Sequence, residues 1–127
     1  MTMERLGFIG LGTMGLPMSL NLLRNGNDLA IWGRTKNNLD DAVNAGATIV
    51  ANPGAMAEVC DVIFLCVFDT AAVNEVVFGN NGILEGAHNN LMIVDHSSIH
   101  PDRTREMAEQ LESRSGASWV DCPVSGG

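Results

Sequence analysis

Arg5-Leu6-Gly7-Phe8-Ile9-Gly10-Leu11-Gly12-Thr13-Met14-Gly15 decides how this chain reads. Its apolar start predicts a short buried strand over Arg5–Leu11. Met14 to Leu23 then carries Met18, Leu22 and Leu23 at helical spacing, with Thr13 as a candidate cap. Pro17 falls in the first turn, where a missing N–H costs little. Between strand and helix stands Gly10-x-Gly12-x-x-Gly15. In that setting the first glycine permits a tight turn, and the second lets the backbone approach a pyrophosphate. The third lets the helix pack against the strand. The helix N-terminus then aims free N–H groups and partial positive charge at the phosphates. A chain with 14 glycines produces such patterns by chance, so the flanking strand and helix carry the argument.

The rest of the chain repeats this alternation. Strands are predicted over Leu29–Trp32, Thr48–Val50, Asp61–Val67, Leu91–Asp95 and Ser118–Asp121. Helices are predicted over Lys36–Ala45, Pro53–Cys60 (capped by Asn52), Ala71–Val77 and Pro101–Ser113. Asp61–Val67 is almost continuously apolar, which suits a central parallel strand covered on both faces. Right-handed crossovers make this an α/β, doubly wound parallel sheet of six strands, expected in the order 3-2-1-4-5-6.

Bulk properties narrow the class. The 127 residues suit one domain, and 46% apolar content is enough for a core. No apolar run approaches the roughly 20 residues of a membrane span, and Glu4 and Arg5 lead no signal peptide, so a soluble cytoplasmic protein is expected. Cys60, Cys66 and Cys122 have no metal-ligand spacing and read as reduced thiols, so no metal is expected. A formal charge of −8 argues against nucleic acid as a partner.

Ligands of such sheets bind beyond the carboxyl ends of the strands. Gly33-Arg34-Thr35-Lys36 follows the second strand, where an NAD site usually has Asp or Glu for the ribose 2′-hydroxyl. A guanidinium, a hydroxyl and an ammonium stand there instead, which favours NADP over NAD through its 2′-phosphate. An ordinary polar helix start is the alternative. After the fourth strand, the Val67–Phe68 backbone could line a cofactor, while Asp69 or Thr70 reads as a helix cap. After the fifth, Ser97 and Ser98 could reach the nicotinamide or its ribose, or could serve only as a capping run before Pro101. His96 and His100 read as ordinary loop histidines, with no Ser-His-Asp constellation. After the sixth, Ser125-Gly126-Gly127 offers a hydroxyl and open backbone N–H groups for a small carboxylate, or is simply a turn or linker.

Together these loops resemble the β-hydroxyacid dehydrogenase family, which includes 3-hydroxyisobutyrate dehydrogenase, tartronate semialdehyde (2-hydroxy-3-oxopropionate) reductase, glyoxylate/succinic semialdehyde reductase and 6-phosphogluconate dehydrogenase. Gly7 to Gly15 with Met18, Asn21 and Leu22 is similar to its cofactor signature. Arg34-Thr35 is similar to the Asn-Arg-Thr of its NADP-using members, with Gly33 in place of Asn. Asp95-His96-Ser97-Ser98-Ile99 resembles its Asp-x-Ser-Thr segment, and Asp121 to Gly127 its Asp-Ala-Pro-Val-Ser-Gly-Gly substrate signature. Phe68 departs from a common proline.

The resemblance implies a cofactor-binding set of Gly10, Leu11, Gly12, Thr13, Met14, Gly33, Arg34, Thr35, Lys36, Val67, Phe68, Ala72 and Ser98. It implies Ser125, Gly126 and Gly127 on a small aldehyde or hydroxy acid. It also implies a following helical domain with a catalytic lysine and an asparagine, and a homo-oligomeric full-length enzyme. Lys36 is the only lysine here and belongs to the adenosine end, so no catalytic residue is assigned in this chain and little or no turnover is expected of it alone. A non-catalytic dinucleotide-binding or protein-interaction module is the alternative.

Overall fold

The computed structural model describes residues 4–33, 39–97 and 100–122. Strands β1 (Arg5–Ile9), β2 (Asp28–Trp32), β3 (Thr48–Ile49), β4 (Val62–Leu65), β5 (Met92–Asp95) and β6 (Ser118–Asp121) form one parallel sheet in the order β3-β2-β1-β4-β5-β6, as expected from the alternation. Helices α1 (Gly15–Arg24), α2 (Leu39–Asn44), α3 (Pro53–Val59), α4 (Thr70–Phe78), α5 (Ile83–Gly86) and α6 (Pro101–Ser115) make the connections.

The register explains the two cores. Phe8, Ile31, Phe64, Val94 and Val120 are level across the sheet, and the next row is Ile9, Trp32, Leu65, Asp95 and Asp121. Alternate residues point to opposite faces. One face packs Leu6, Phe8, Leu29 and Ile31 against α1 and α2. The other packs Ile9, Ile63, Leu65 and Ile93 against Met56 of α3, Val73 and Val77 of α4, Ile83 of α5 and Met107 and Leu111 of α6. Each fully buried Ile, Leu or Phe is worth roughly 1.5–3 kcal/mol against exposure.

Local chemistry sets the ends. Asn52 caps α3, accepting from the Ala55 N–H at 2.8 Å, and Asp69 caps α4, accepting from the Ala72 N–H at 2.8 Å. Gly116, at φ 81°, closes α6 two residues later than its sequence pattern suggests. Two expectations are corrected. Thr13 does not cap α1: Met14 occupies the cap position, with no side-chain hydrogen bond. The first strand ends at Ile9 rather than Leu11, because Gly10 turns the backbone to φ 99°. The chain turns at Gly79–Gly82, with the Gly82 N–H on the Gly79 carbonyl at 3.0 Å, and leads into the short helix α5, whose Ile83 is fully buried under α3 and α4.

The sheet is unevenly covered. On the α1 side, Phe64 and Val94 are half-buried, and Met92 and Val120 are 38% and 43% exposed. Among the described residues no helix packs over β5 and β6 on that face. Apolar surface of this kind associates. Sedimentation equilibrium of the isolated domain is expected to give a mass that rises with concentration, and Val120→Lys to reduce the rise. A monomer at every concentration would refute this.

Candidate functional site

The three glycines of the loop are required for different reasons. Gly10 adopts φ 99°, and a Cβ there would also fall on the Cys66 carbonyl. A Cβ on Gly15 would fall on the Gly10 carbonyl and 3.0 Å from the Phe8 ring. Both are fixed by the protein's own packing. A Cβ on Gly12 would meet nothing within 4 Å. Among the described residues nothing needs glycine at that position, so the space they leave beside it is open to a ligand. It adjoins the start of α1, whose cap residue supplies no side-chain acceptor for the first-turn N–H groups.

Two hollows flank this spot. One, of about 240 Å³, lies at the ends of β1 and β2 and is lined by Gly10, Leu11, Gly12, Gly33, Val67, Phe68 and Ala72 of the predicted set. Trp32, Leu39 and Val76 also line it. The other, of about 360 Å³, is lined by Gly12, Thr13, Met14 and Gly15 on one side and by Cys66, Val67, Phe68, His96 and Ser97 on the other. Gly12, Val67 and Phe68 are common to both and form the ridge between them. Phe68 is 92% exposed on that ridge.

Nine predicted residues are thus brought together: Gly10, Leu11, Gly12, Thr13, Met14, Gly33, Val67, Phe68 and Ala72. Arg34, Thr35, Lys36, Ser98, Ser125, Gly126 and Gly127 lie outside the described residues. Trp32, Val76, Cys66 and His96 are lining residues that the sequence reading passed over. Val76 had a signal, since it stands one helical turn after Ala72.

The polar groups of the second hollow are held by the protein itself. The Nδ1–H of His96 donates to the Cys122 carbonyl at 2.8 Å, and its ring stacks on Phe64 with centroids 5.9 Å apart. The Ser97 hydroxyl, only 2% exposed, accepts from the Val67 N–H at 2.9 Å. Asp95, fully buried, accepts from the Ser97 N–H at 2.9 Å, while its second carboxylate oxygen has no hydrogen-bond partner. Burial pushes the Asp95 carboxyl above the usual carboxylate range; the Ser97 backbone and hydroxyl pull it down in part, and Asp121 raises it further. Burial also raises the Cys66 thiol, with Asp95 adding to the effect, and pushes the Cys60 thiol up to about 11. Among the described residues no cluster of His, Cys, Asp and Glu could hold a metal ion, and no helix is long and apolar enough to cross a membrane.

A carboxyl whose pKa is raised by folding favours the fold most when protonated and opposes it once ionised. Its contribution is therefore present below the unfolded carboxylate pKa and lost as pH rises through the raised folded value. Asp95→Asn keeps an acceptor for the Ser97 N–H and removes the charge. Its melting temperature relative to the wild type is expected to rise between pH 4 and pH 7.5. A gap independent of pH in parallel thermal melts would count against this account of Asp95.

Comparison with known proteins fits this geometry. The model of the NAD binding domain of 6-phosphogluconate dehydrogenase matches residues 5–127. The cytokine-like nuclear factor N-PAC of Xenopus tropicalis is 35% identical over 125 residues, 98% of this chain and 23% of its own length. The 2-hydroxy-3-oxopropionate reductase of Escherichia coli is 42% identical over 125 residues, 97% of this chain and 41% of its own length. The structure of Mycobacterium tuberculosis 3-hydroxyisobutyrate dehydrogenase with L-serine aligns at a TM-score of 0.87 and 27% identity, over 99% of this chain and 42% of that one. Psf3 in complex with NADP+ and 2-OPP aligns at 0.87 and 29%, over 96% and 43%. The chain thus spans between about a fifth and two fifths of the curated relatives it matches. It belongs to the family of the NAD-binding domain of 6-phosphogluconate dehydrogenase, together with oxidoreductases such as 2-hydroxy-3-oxopropionate reductase.

Proposed function

We propose that this chain is the NADP-binding domain of a cytoplasmic oxidoreductase that interconverts small β-hydroxyacids and aldehyde acids. The observation that carries the reading is the open space at Gly12, between two hollows and beside the start of α1. A dinucleotide has that shape: two nucleoside halves joined by a pyrophosphate that needs backbone N–H donors and no Cβ in its way. The residues present fit it. The first hollow, with Trp32, Ala72 and Val76 on its walls, suits the flat apolar faces of adenine. Gly12 and the N-terminus of α1 would take the pyrophosphate, and the second hollow the nicotinamide half. When bound, the cofactor supplies hydride.

We assign Arg34, Thr35 and Lys36 to the adenosine 2′-phosphate on their chemistry and their place after β2, with no carboxylate there to favour the free 2′-hydroxyl. Ser98 is assigned to the nicotinamide half, and Ser125, Gly126 and Gly127 to the carboxylate of the substrate. The bound NADP+ of Psf3 supports the choice of nucleotide. Reduction requires a proton donor, and the family's lysine is proposed to lie in a second domain, as in a homo-oligomeric enzyme of the relatives' greater length. The 127 residues alone would bind cofactor without appreciable turnover.

A second reading has its own observation. N-PAC matches this chain across 98% of its length and is named as a nuclear factor. A non-catalytic nucleotide-binding or protein-interaction module therefore competes. Joining this domain to the part of the E. coli reductase beyond the matched region separates the two. Reduction of 2-hydroxy-3-oxopropionate by the chimera supports the enzyme reading, and a folded chimera that binds NADPH without turnover supports the module.

Calorimetric titration is the direct test of the cofactor. NADPH is expected to bind at least about tenfold more tightly than NADH, the scale of one charge-assisted phosphate contact. Arg34→Ala should close most of that gap. Gly12→Ala should leave the melting temperature unchanged and abolish binding of both nucleotides, whereas Gly10→Ala should lower the melting temperature itself. Equal affinities would refute the NADP assignment, and unimpaired binding by Gly12→Ala would refute the site.

A further inference from the structure

We propose that Ser97, anchored by Asp95, is a positioning residue that sets the shape of the nucleotide-receiving ridge at Val67–Phe68. The inference rests on the nucleotide reading of the two hollows and assigns Ser97 a role different from contact with ligand.

The argument begins at the end of the sheet. β4 and β5 stay paired through His96, whose N–H reaches the Leu65 carbonyl at 2.7 Å. On the other side of β4, the Cys66 N–H reaches the Ile9 carbonyl at 2.9 Å. Val67 is the first residue of β4's extension left without a ladder partner. Its N–H bonds the Ser97 hydroxyl at 2.9 Å instead. A side-chain oxygen from the loop after β5 thus adds one rung to the β4–β5 ladder.

That rung is built to be rigid. The Asp95 carboxylate accepts from the Ser97 N–H at 2.9 Å, which turns the chain out of the sheet directly after β5. Asp95 is 0% and Ser97 2% exposed, so neither side chain exchanges partners with water. The Ser97 hydroxyl accepts from the Val67 N–H while the Ser97 N–H donates to Asp95, so backbone and side chain of this one residue are both tied. Burying a carboxyl, with one oxygen unpartnered, is costly.

The ridge is where rigidity matters. Val67 and Phe68 border both hollows, and any ligand filling both must cross them opposite Gly12. Phe68 is 92% exposed, so its side chain does not hold the loop, and Val67 is only half-buried against the core. Toward the helix, the Asp69 cap on the Ala72 N–H fixes the loop. Toward the strand, the described bond that fixes it is the one from Val67 to Ser97. Removing the hydroxyl frees the loop, and the ligand must then order it on binding.

The test uses Ser97→Ala, with Ser97→Thr as the variant that restores the hydroxyl. Ser115→Ala is the control. Ser115 also accepts a backbone N–H, that of Ala117 at 3.2 Å, but at the far end of α6. Two quantities are read for each protein: amide hydrogen exchange at Val67 without nucleotide, and the NADPH dissociation constant. Ser97→Ala is expected to speed Val67 exchange about tenfold beyond any global change and to weaken NADPH about tenfold. Ser97→Thr should recover both, and Ser115→Ala should change neither beyond its effect on the melting temperature. Unchanged Val67 exchange in Ser97→Ala overturns the strut. Faster exchange with unchanged NADPH affinity overturns its role in binding. Failure of the wild type to bind NADPH overturns the nucleotide reading, while the exchange comparison still decides whether Ser97 holds the loop. Should the threonine variant not fold, the alanine variant and its control decide alone.

Discussion

The seam between β1 and β4 is the constraint on which the rest of this structure depends. It is pinned at its start by a reciprocal pair: the Arg5 N–H donates to the Asp61 carboxylate at 3.0 Å, and the Asp61 N–H to the Arg5 carbonyl at 2.8 Å. At its far end Gly10 passes so close to the Cys66 carbonyl that no side chain fits between them. In this strand order the connections run outward from that seam in both directions, which places the ligand crevice beyond it. The approach of Gly10 to Cys66 brings the end of β1 beside the loop after β4. The glycine loop and the Val67–Phe68 ridge are therefore neighbours as a consequence of backbone packing, before any side chain contributes.

The same seam sorts the glycines. Gly10 and Gly15 are held by contacts that the free protein already makes, so their loss is a folding defect. A Cβ on Gly12 would meet none of the described residues, so the fold alone would accept alanine there. A motif usually read as one unit thus divides into a structural part and a ligand part. Only the ligand part distinguishes a binding loop from a glycine-rich turn, since a turn has no use for an open position beside a helix N-terminus.

The strand order was legible in the sequence because two strong signals agree. Apolar runs such as Asp61–Val67 alternate with helical patterns, and parallel crossovers have a fixed hand. Element ends were less legible where one residue's conformation decides them. Gly10 ends β1 through its positive φ, and Met14 takes the cap position that Thr13 was expected to serve. Within the site, Gly12 and Ala72 followed from motif and family resemblance. For Ser97 the sequence leaves contact with a ligand and a capping role both open. Ser97 follows β5 closely, and composition cannot say whether its hydroxyl is turned inward. The Asp95 bond to the Ser97 N–H makes that choice, and it depends on the chain turning out of the sheet. His96 reads as a loop histidine because nothing local reveals that Phe64 and the Cys122 carbonyl hold it against the second hollow.

The relatives show why the fold alone does not fix the chemistry. A reductase and a nuclear factor match this chain over nearly the same residues, at 42% and 35% identity. What they share with it is the sequence of this one domain, and a binding domain binds without necessarily reacting. Reaction needs a group that moves a proton at the substrate. In the described residues the second hollow offers an imidazole whose Nδ1–H is committed to a carbonyl, a buried serine hydroxyl that accepts from a backbone N–H and a thiol raised by burial. Each is arranged to hold position. A site of that kind serves an enzyme when another element brings the acid, and serves a binding module when none does. The chemistry therefore depends on what faces the second hollow from outside these residues, while nucleotide recognition depends on the β1–β4 seam within them.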